Sequence, residues 1–281
     1  MGNQPSLPQA RGMAVASFVI NFATQVYGMV SKPNMKDVAD ANHYAFSPHP
    51  MAIAGVFSLQ VVLQALWLRE LFVMRPALPD DAAGTALQHA TLAYAPVYAL
   101  GNLCICTMQP FRSCLTRYHT AAWLFFWLRE QFWVSQAFVT VNSTIQILAL
   151  ALIPGLGTLP ASSARAEILL HLVAKTFAGV GVLDFIDNGA VALRYSVPGG
   201  VMQGLIAGAF VLGGLYADPI MGATLVYDLL GLAIGQDGVW GTNLAWLTGT
   251  TAAVVGLKAL NLFTSRGGGI GWGGGIGLTG R

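Results

Sequence analysis

Charge leaves this chain in blocks. No Lys, Arg, Asp or Glu occurs between Arg11 and Lys32, from His49 to Leu68, from Gln131 to Ala164, or from Tyr195 to Ala217. A water-soluble domain carries charge over most of its surface. A segment that drops it for about twenty residues at a time has hydrocarbon as its solvent. Inside a bilayer the backbone must satisfy its own hydrogen bonds, so such segments form helices unless they close into a barrel. They are long and continuously apolar, without strand-like alternation, so the chain reads as an all-α, polytopic transmembrane helical bundle.

Composition agrees. Mean hydropathy is +0.60 and 55% of residues are hydrophobic, above the ~45–50% apolar share of soluble domains. Many of the 33 glycines lie inside the apolar runs, where they let helix backbones approach closely. A net charge of +2 and the lack of a basic stripe argue against a nucleic-acid partner. Cys104, Cys106 and Cys114 are odd in number and clustered, a poor disulfide framework. No Cys/His spacing predicts a metal, and no motif predicts a cofactor.

Counting apolar windows predicts eight spans, with seven as the alternative count. They are centred on Met13–Val30, Pro50–Leu68, a third starting near His89, Phe132–Ile153, Ala166–Asp187, Val197–Ala217, Ile220–Gln236 and Trp240–Phe263. The domain reading is a disordered tail over 1–12, a bundle over 13–263 and a Gly-rich disordered tail over 264–281. The opening Met-Gly-Asn-Gln-Pro-Ser fits the N-myristoylation pattern at Gly2, although a plain tail can also begin Met-Gly. In the sixth span, Gly204 and Gly208 form a GxxxG step, which predicts close packing of another helix.

One stretch resists this division. Residues 106–120 are polar and unpatterned, and Ala121–Ile153 is apolar apart from Arg129-Glu130. As one helix those 33 residues would be about 50 Å long, against a hydrocarbon core of about 30 Å. Placing Arg129-Glu130-Gln131 in a tight turn at a membrane surface resolves this. If 106–120 is an insertion, such as retained intron, then YALGNLCI and AWLFFW join into one complete third span. The alternative is an ordinary extramembrane loop, with Ala121–Leu128 lying at the interface.

The strings HLVAKTFAGVGVLDFIDNGAVA (171–192), YALGNLCI with AWLFFW (98–105, 122–127) and DPIMGATLVYDLLGLAIGQ (218–236) resemble a fungal family of multi-span membrane proteins of unknown function. That resemblance implies no interruption between GNLCI and AWLFFW, which favours the insertion. The opening layout, a span and a polar loop ending Phe46-Ser47-Pro48 before the next span, is loosely similar to the tryptophan-rich sensory protein family. Members of that family bind tetrapyrroles and sterols. The later spans depart from its five-helix pattern, and its Trp/Pro pattern after the first loop is missing here, so no ligand residues carry over.

The exceptions to the missing charge are the candidate functional residues. A charge at mid-membrane costs about 2.5–3.5 kcal/mol on insertion scales, so it faces a partner or water. Lys175 and Asp228 stand near the centres of their spans, which predicts either a relay or a structural ion pair between them. Tyr227 adjoins Asp228, and His171 precedes Lys175 by one turn, on the same face. Asp184 and Asp187 share a face that points away from Lys175, at roughly 180° and 120° around the helix. They read as a catalytic or cation-holding pair, or as a solvated helix end. Asn142 and Gln146 read as hydrogen-bonding glue between helices.

These residues support three functions for an integral membrane protein whose partner is the lipid bilayer. The first is binding or transport of a small apolar or amphipathic ligand, or proton coupling, through Lys175, Asp228, Tyr227 and His171. The second is a structural or scaffold role. The third is an enzyme acting on a lipid or isoprenoid. No DDxxD, HxxxH, GxSxG or histidine box supports the third.

Overall fold

The structure is a computed structural model that describes residues 4–78, 80–105 and 123–267. Among the described residues it contains ten helices and no strand. They are α1 (Leu7–Val30), α2 (Met35–Ala41), α3 (Pro50–Val73), α4 (Ala82–Ile105), α5 (Trp123–Leu128), α6 (Phe132–Leu152), α7 (Arg165–Leu193), α8 (Gly200–Tyr216), α9 (Pro219–Gly235) and α10 (Gly238–Gly267). This is an all-α helical bundle. Each of the eight apolar segments lies on a helix, and α2 and α5 are short additions.

Four helices, α1, α3, α6 and α7, are long and apolar enough to cross a membrane, and α8 and α9 are shorter apolar helices. The outer surface is apolar too. Val201 is 81% exposed, Trp246 75% and Leu205 63%. A surface with this many exposed large apolar side chains suits lipid rather than water.

Local sequence sets the helix ends. Pro50 and Pro219 sit in the first turns of α3 and α9, where a missing N–H costs nothing. The Asp218 carboxylate accepts from the N–H groups of Ile220 (2.8 Å) and Met221 (3.0 Å), an N-cap for α9. The start of α1 departs from the expected tail over 1–12. Ser6 and Gln9 form a capping box, and Pro8 lies in the first turn, so the helix begins at Leu7. Arg11 then donates to the carbonyls of Leu71 (3.0 Å) and Met74 (2.7 Å) at the end of α3. Similarly, α10 continues to Gly267, past the expected boundary at 263. Gly2, residues 106–120 and the chain after Gly267 lie outside the described residues.

Successive long helices alternate in direction. One end of the bundle, the α2 end, collects α2, the 42–49 loop, the 129–131 turn, the 194–199 loop and Gln236-Asp237. The opposite end collects 74–81, 153–164 and the α8–α9 corner. Helix α7 is central: 72% of its most apolar window is buried, against 28–33% in α1, α3 and α6. Small residues permit this. Gly179 lies against Thr224 of α9, and Gly181 lies against Ser143 of α6, whose hydroxyl donates to the Gly181 carbonyl (2.6 Å).

The expected GxxxG contact is not made. Among the described residues, nothing lies within 4 Å of where a Cβ would stand at Gly204 or Gly208. Helix α8 packs through Gly213 and Gly214 instead, against Leu225 of α9 and Thr251 and Val255 of α10. Spacing alone cannot tell which small face of a helix meets a neighbour.

Helix α5 packs at the α2 end, with Leu124 against Gly28 of α1. Asn21 of α1 bonds Asn102 of α4 (2.6 Å), and both helices run toward that end, so α5 occupies the level that α4 would reach one to two turns further on. The turn expected at Arg129-Glu130-Gln131 is present, with Glu130 in the left-handed region (φ 56°).

Candidate functional site

The 42–49 loop is held by backbone and side-chain bonds to distant helices. His49 N–H donates to the Gly231 carbonyl (2.9 Å), and Trp240 Nε1 donates to the Ala45 carbonyl (2.6 Å). The Gln236 amide donates to the carbonyls of Tyr44 and Ser47 (both 2.8 Å). Ser47 turns inward: its hydroxyl accepts from Tyr44 N–H (3.1 Å) and donates to the Asp187 carboxylate (2.9 Å).

This clamp leaves a cavity of about 660 Å³ beneath the loop, between α1, α2, α3, α5 and α7. That volume suits a small organic ligand. Its walls are largely apolar and aromatic, with Phe22, Phe57, Trp123 and Trp127 prominent. Asp184 and Asp187, both half-buried, face it from α7. Lys36 and Asp40 stand at its rim and pair with each other. The carboxyls of Asp184 and Asp187 are therefore not at a solvated helix end. α7 continues six residues beyond Asp187, and Ser47 of the folded loop bonds Asp187.

Asn188 was not among the expected site residues, yet it holds the cavity wall. Its Oδ1 accepts from Trp123 Nε1 (2.7 Å) and Ser135 Oγ (3.1 Å), joining α5 and α6 to α7. In the sequence it reads as half of an Asn-Gly helix end, and no local signal marks it as a bridge.

Lys175 does not pair with Asp228. Its ammonium pairs with Asp218, the N-cap of α9, and donates to the Thr158 carbonyl (2.5 Å) at the opposite end of the bundle. The reason is helix length. α7 has 29 residues, whereas α8 and α9 have 17 each, so their corner meets α7 part-way along, at Lys175. His171 is buried one turn away, with Nδ1 unpartnered. Lys258 completes this corner by donating to the carbonyls of Leu215 (2.7 Å) and Ala217 (2.5 Å) at the end of α8.

Asp228 is 0% exposed, and neither carboxyl oxygen has a hydrogen-bond partner among the described residues. It lies within electrostatic reach of Asp184, as does Asp187. Tyr227 faces α3 rather than the cavity, and its hydroxyl donates to the Ala52 carbonyl (2.7 Å). The four residues expected to line one pocket are thus divided: Lys175 and His171 sit at one end, Asp228 is level with Asp184, and Tyr227 is tied to backbone. Among the described residues, no group of three His, Cys, Asp or Glu could hold a metal ion.

A chain of buried amides and phenols runs on from the cavity. Gln25 donates to Asn21 (3.2 Å) and Asn21 to Asn102 (2.6 Å). Tyr98 donates to Gln64 (2.7 Å), Gln64 to Gln60 (3.2 Å) and Gln60 to Thr176 (2.8 Å). Gln146 accepts from Tyr94 (3.1 Å), as inter-helix glue would, whereas Asn142 Oδ1 has no partner.

Comparison of the chain with protein-family models, with curated proteins and with solved structures gives no match in any of the three.

Proposed function

We propose that this chain is an eight-span membrane protein that binds, and by extension carries, a small amphipathic molecule in the cavity under the 42–49 loop. The observation that carries the reading is the cavity itself: about 660 Å³, with aromatic walls and two carboxyls on one side. Aromatic faces suit the apolar part of a ligand, and the carboxyls suit a polar or cationic head. Helices α4 and α10 complete the eight spans. The threonine hydroxyls of α10 support its placement in lipid, because Thr242, Thr248 and Thr250 each donate to a carbonyl four residues back. A Lys175–Asp228 proton relay has less support, since Lys175 is already paired with Asp218.

The test is native mass spectrometry of the purified chain, with Ala54→Trp and Ser58→Trp as cavity-filling variants. A co-purifying small-molecule adduct lost in both folded variants supports the reading. An adduct that persists in both, or none in the wild type together with no binding of a long-chain alkylamine probe, overturns it. The facing carboxyls Asp184 and Asp187 keep a lipid-directed enzyme as the second reading, and chemical turnover of the adduct would favour it.

A further inference from the structure

Beneath the large cavity lies a second chamber of about 20 Å³, room for one water-sized occupant. Asp184 lines both spaces. The chamber's other polar lining is amide: Asn21, Gln25, Gln60, Gln64 and Asn142. The amide nitrogens of four of these donate to neighbours, Gln25 to Asn21, Asn21 to Asn102, Gln60 to Thr176 and Gln64 to Gln60. Those bonds, with one from Tyr98, also engage the side-chain oxygens of Asn21, Gln60 and Gln64, each of which keeps a second lone pair for an occupant. Asn142 is 3% exposed, and its Oδ1 has no hydrogen-bond partner among the described residues.

The charge balance points the same way. Among the described residues the ion pairs are Lys32–Asp37, Lys36–Asp40, Arg69–Glu70, Arg165–Glu70 and Lys175–Asp218. None reaches Asp184, Asp187 or Asp228. Among the described residues these three carboxyls thus have no paired cation, and a carboxylate in an apolar bundle is disfavoured without one. We propose that the chamber is a binding site for an alkali-metal cation, held by the Asp184 carboxylate and amide oxygens including Asn142 Oδ1. One carboxylate among neutral amides matches a single positive charge. A divalent ion would call for more carboxylates than face this space. A bound ion here touches the same carboxylate that faces the large cavity, the arrangement by which an ion and an organic ligand sense each other in a membrane carrier.

The test needs no organic ligand, so its outcome is separate from that of the cavity reading. Thermal unfolding of the full chain in nanodiscs is compared in sodium, potassium and choline chloride at equal ionic strength. Binding to the native state raises the midpoint saturably, so sodium or potassium is expected to do so and choline is not. Asn142→Ala is expected to weaken the apparent affinity at least about tenfold, and Asp184→Asn to abolish the response. Equal midpoints in all three salts mean the chamber holds water only and overturn the proposal. A midpoint that follows pH but not the cation assigns a proton to Asp184 and also overturns it. Should Asp184→Asn fail to fold, Asn142→Ala decides: an unchanged saturation curve places the ion elsewhere.

Discussion

Lys175 and Asp218 form an ion pair that fastens the α8–α9 corner to the middle helix of the bundle. Lys175 is 1% exposed, and Asp218 simultaneously caps α9 through its other oxygen. Removing one member of a buried pair leaves the other charge uncompensated, at a cost of about 3–5 kcal/mol. Lys175→Met is therefore expected to lower the unfolding midpoint sharply. Adding Asp218→Asn removes the orphaned charge and keeps a capping side chain, so the double variant recovers much of the loss. A double-mutant cycle on thermal unfolding measures this coupling; additive losses would show that the pair is not one unit.

Gly235 lies under the 42–49 loop with no space for a side chain. A Cβ there would meet His49 N at 2.5 Å, Ser47 O at 2.6 Å and Pro48 C at 2.7 Å, all of them backbone. Gly235→Ala is expected to displace the loop, cost about 1–3 kcal/mol and disturb the cavity roof that Ser47 forms with Asp187. Gly208→Ala, with nothing within 4 Å, is the control and is expected to leave stability within about 0.5 kcal/mol. Unfolding midpoints of the two variants, read side by side, check both.

Much of this architecture is legible from one sequence, and the failures share a cause. The charge-free blocks mark the long helices because bilayer thickness sets their length, and Arg129-Glu130 marks a turn because charge belongs at a surface. What the pattern lacks is azimuth. Lys175 and Asp228 both sit mid-span, yet the partner of Lys175 is Asp218, which reads only as a chain breaker beside Pro219. The sequence separation of 140 between Ser47 and Asp187 hides a contact that no local period encodes. Depth follows from counting residues; neighbours follow from how helices of unequal length pack.

Asn188 joins three helices through one oxygen, and its loss should be felt first at α5. Asn188→Ala leaves Trp123 Nε1 and Ser135 Oγ without their acceptor, and unsatisfied buried donors cost about 1–3 kcal/mol. Asn188→Asp restores an acceptor at the same place and is expected to keep the Trp123 contact. Tryptophan emission reports the difference, with a shift in Asn188→Ala that exceeds any in Asn188→Asp. Identical spectra and midpoints for both variants would show that the bridge does not position α5.

The eight-span reading fixes which loops share a side of the bilayer. Lys32 and Ser196 lie at the α2 end, and Arg75 and Ser162 at the opposite end. All four are exposed, so cysteine should replace each with little effect on the core. In a background with Cys104, Cys106 and Cys114 changed to Ser, a membrane-impermeant maleimide added to sealed cells is expected to label one of these two pairs and spare the other. Permeabilisation should then expose the second pair. Labelling that splits Lys32→Cys from Ser196→Cys would require an odd number of crossings between residues 32 and 196. That would remove one of α3, α4, α6 and α7 from the set of spanning helices, and the cavity would lose its place between membrane-crossing walls.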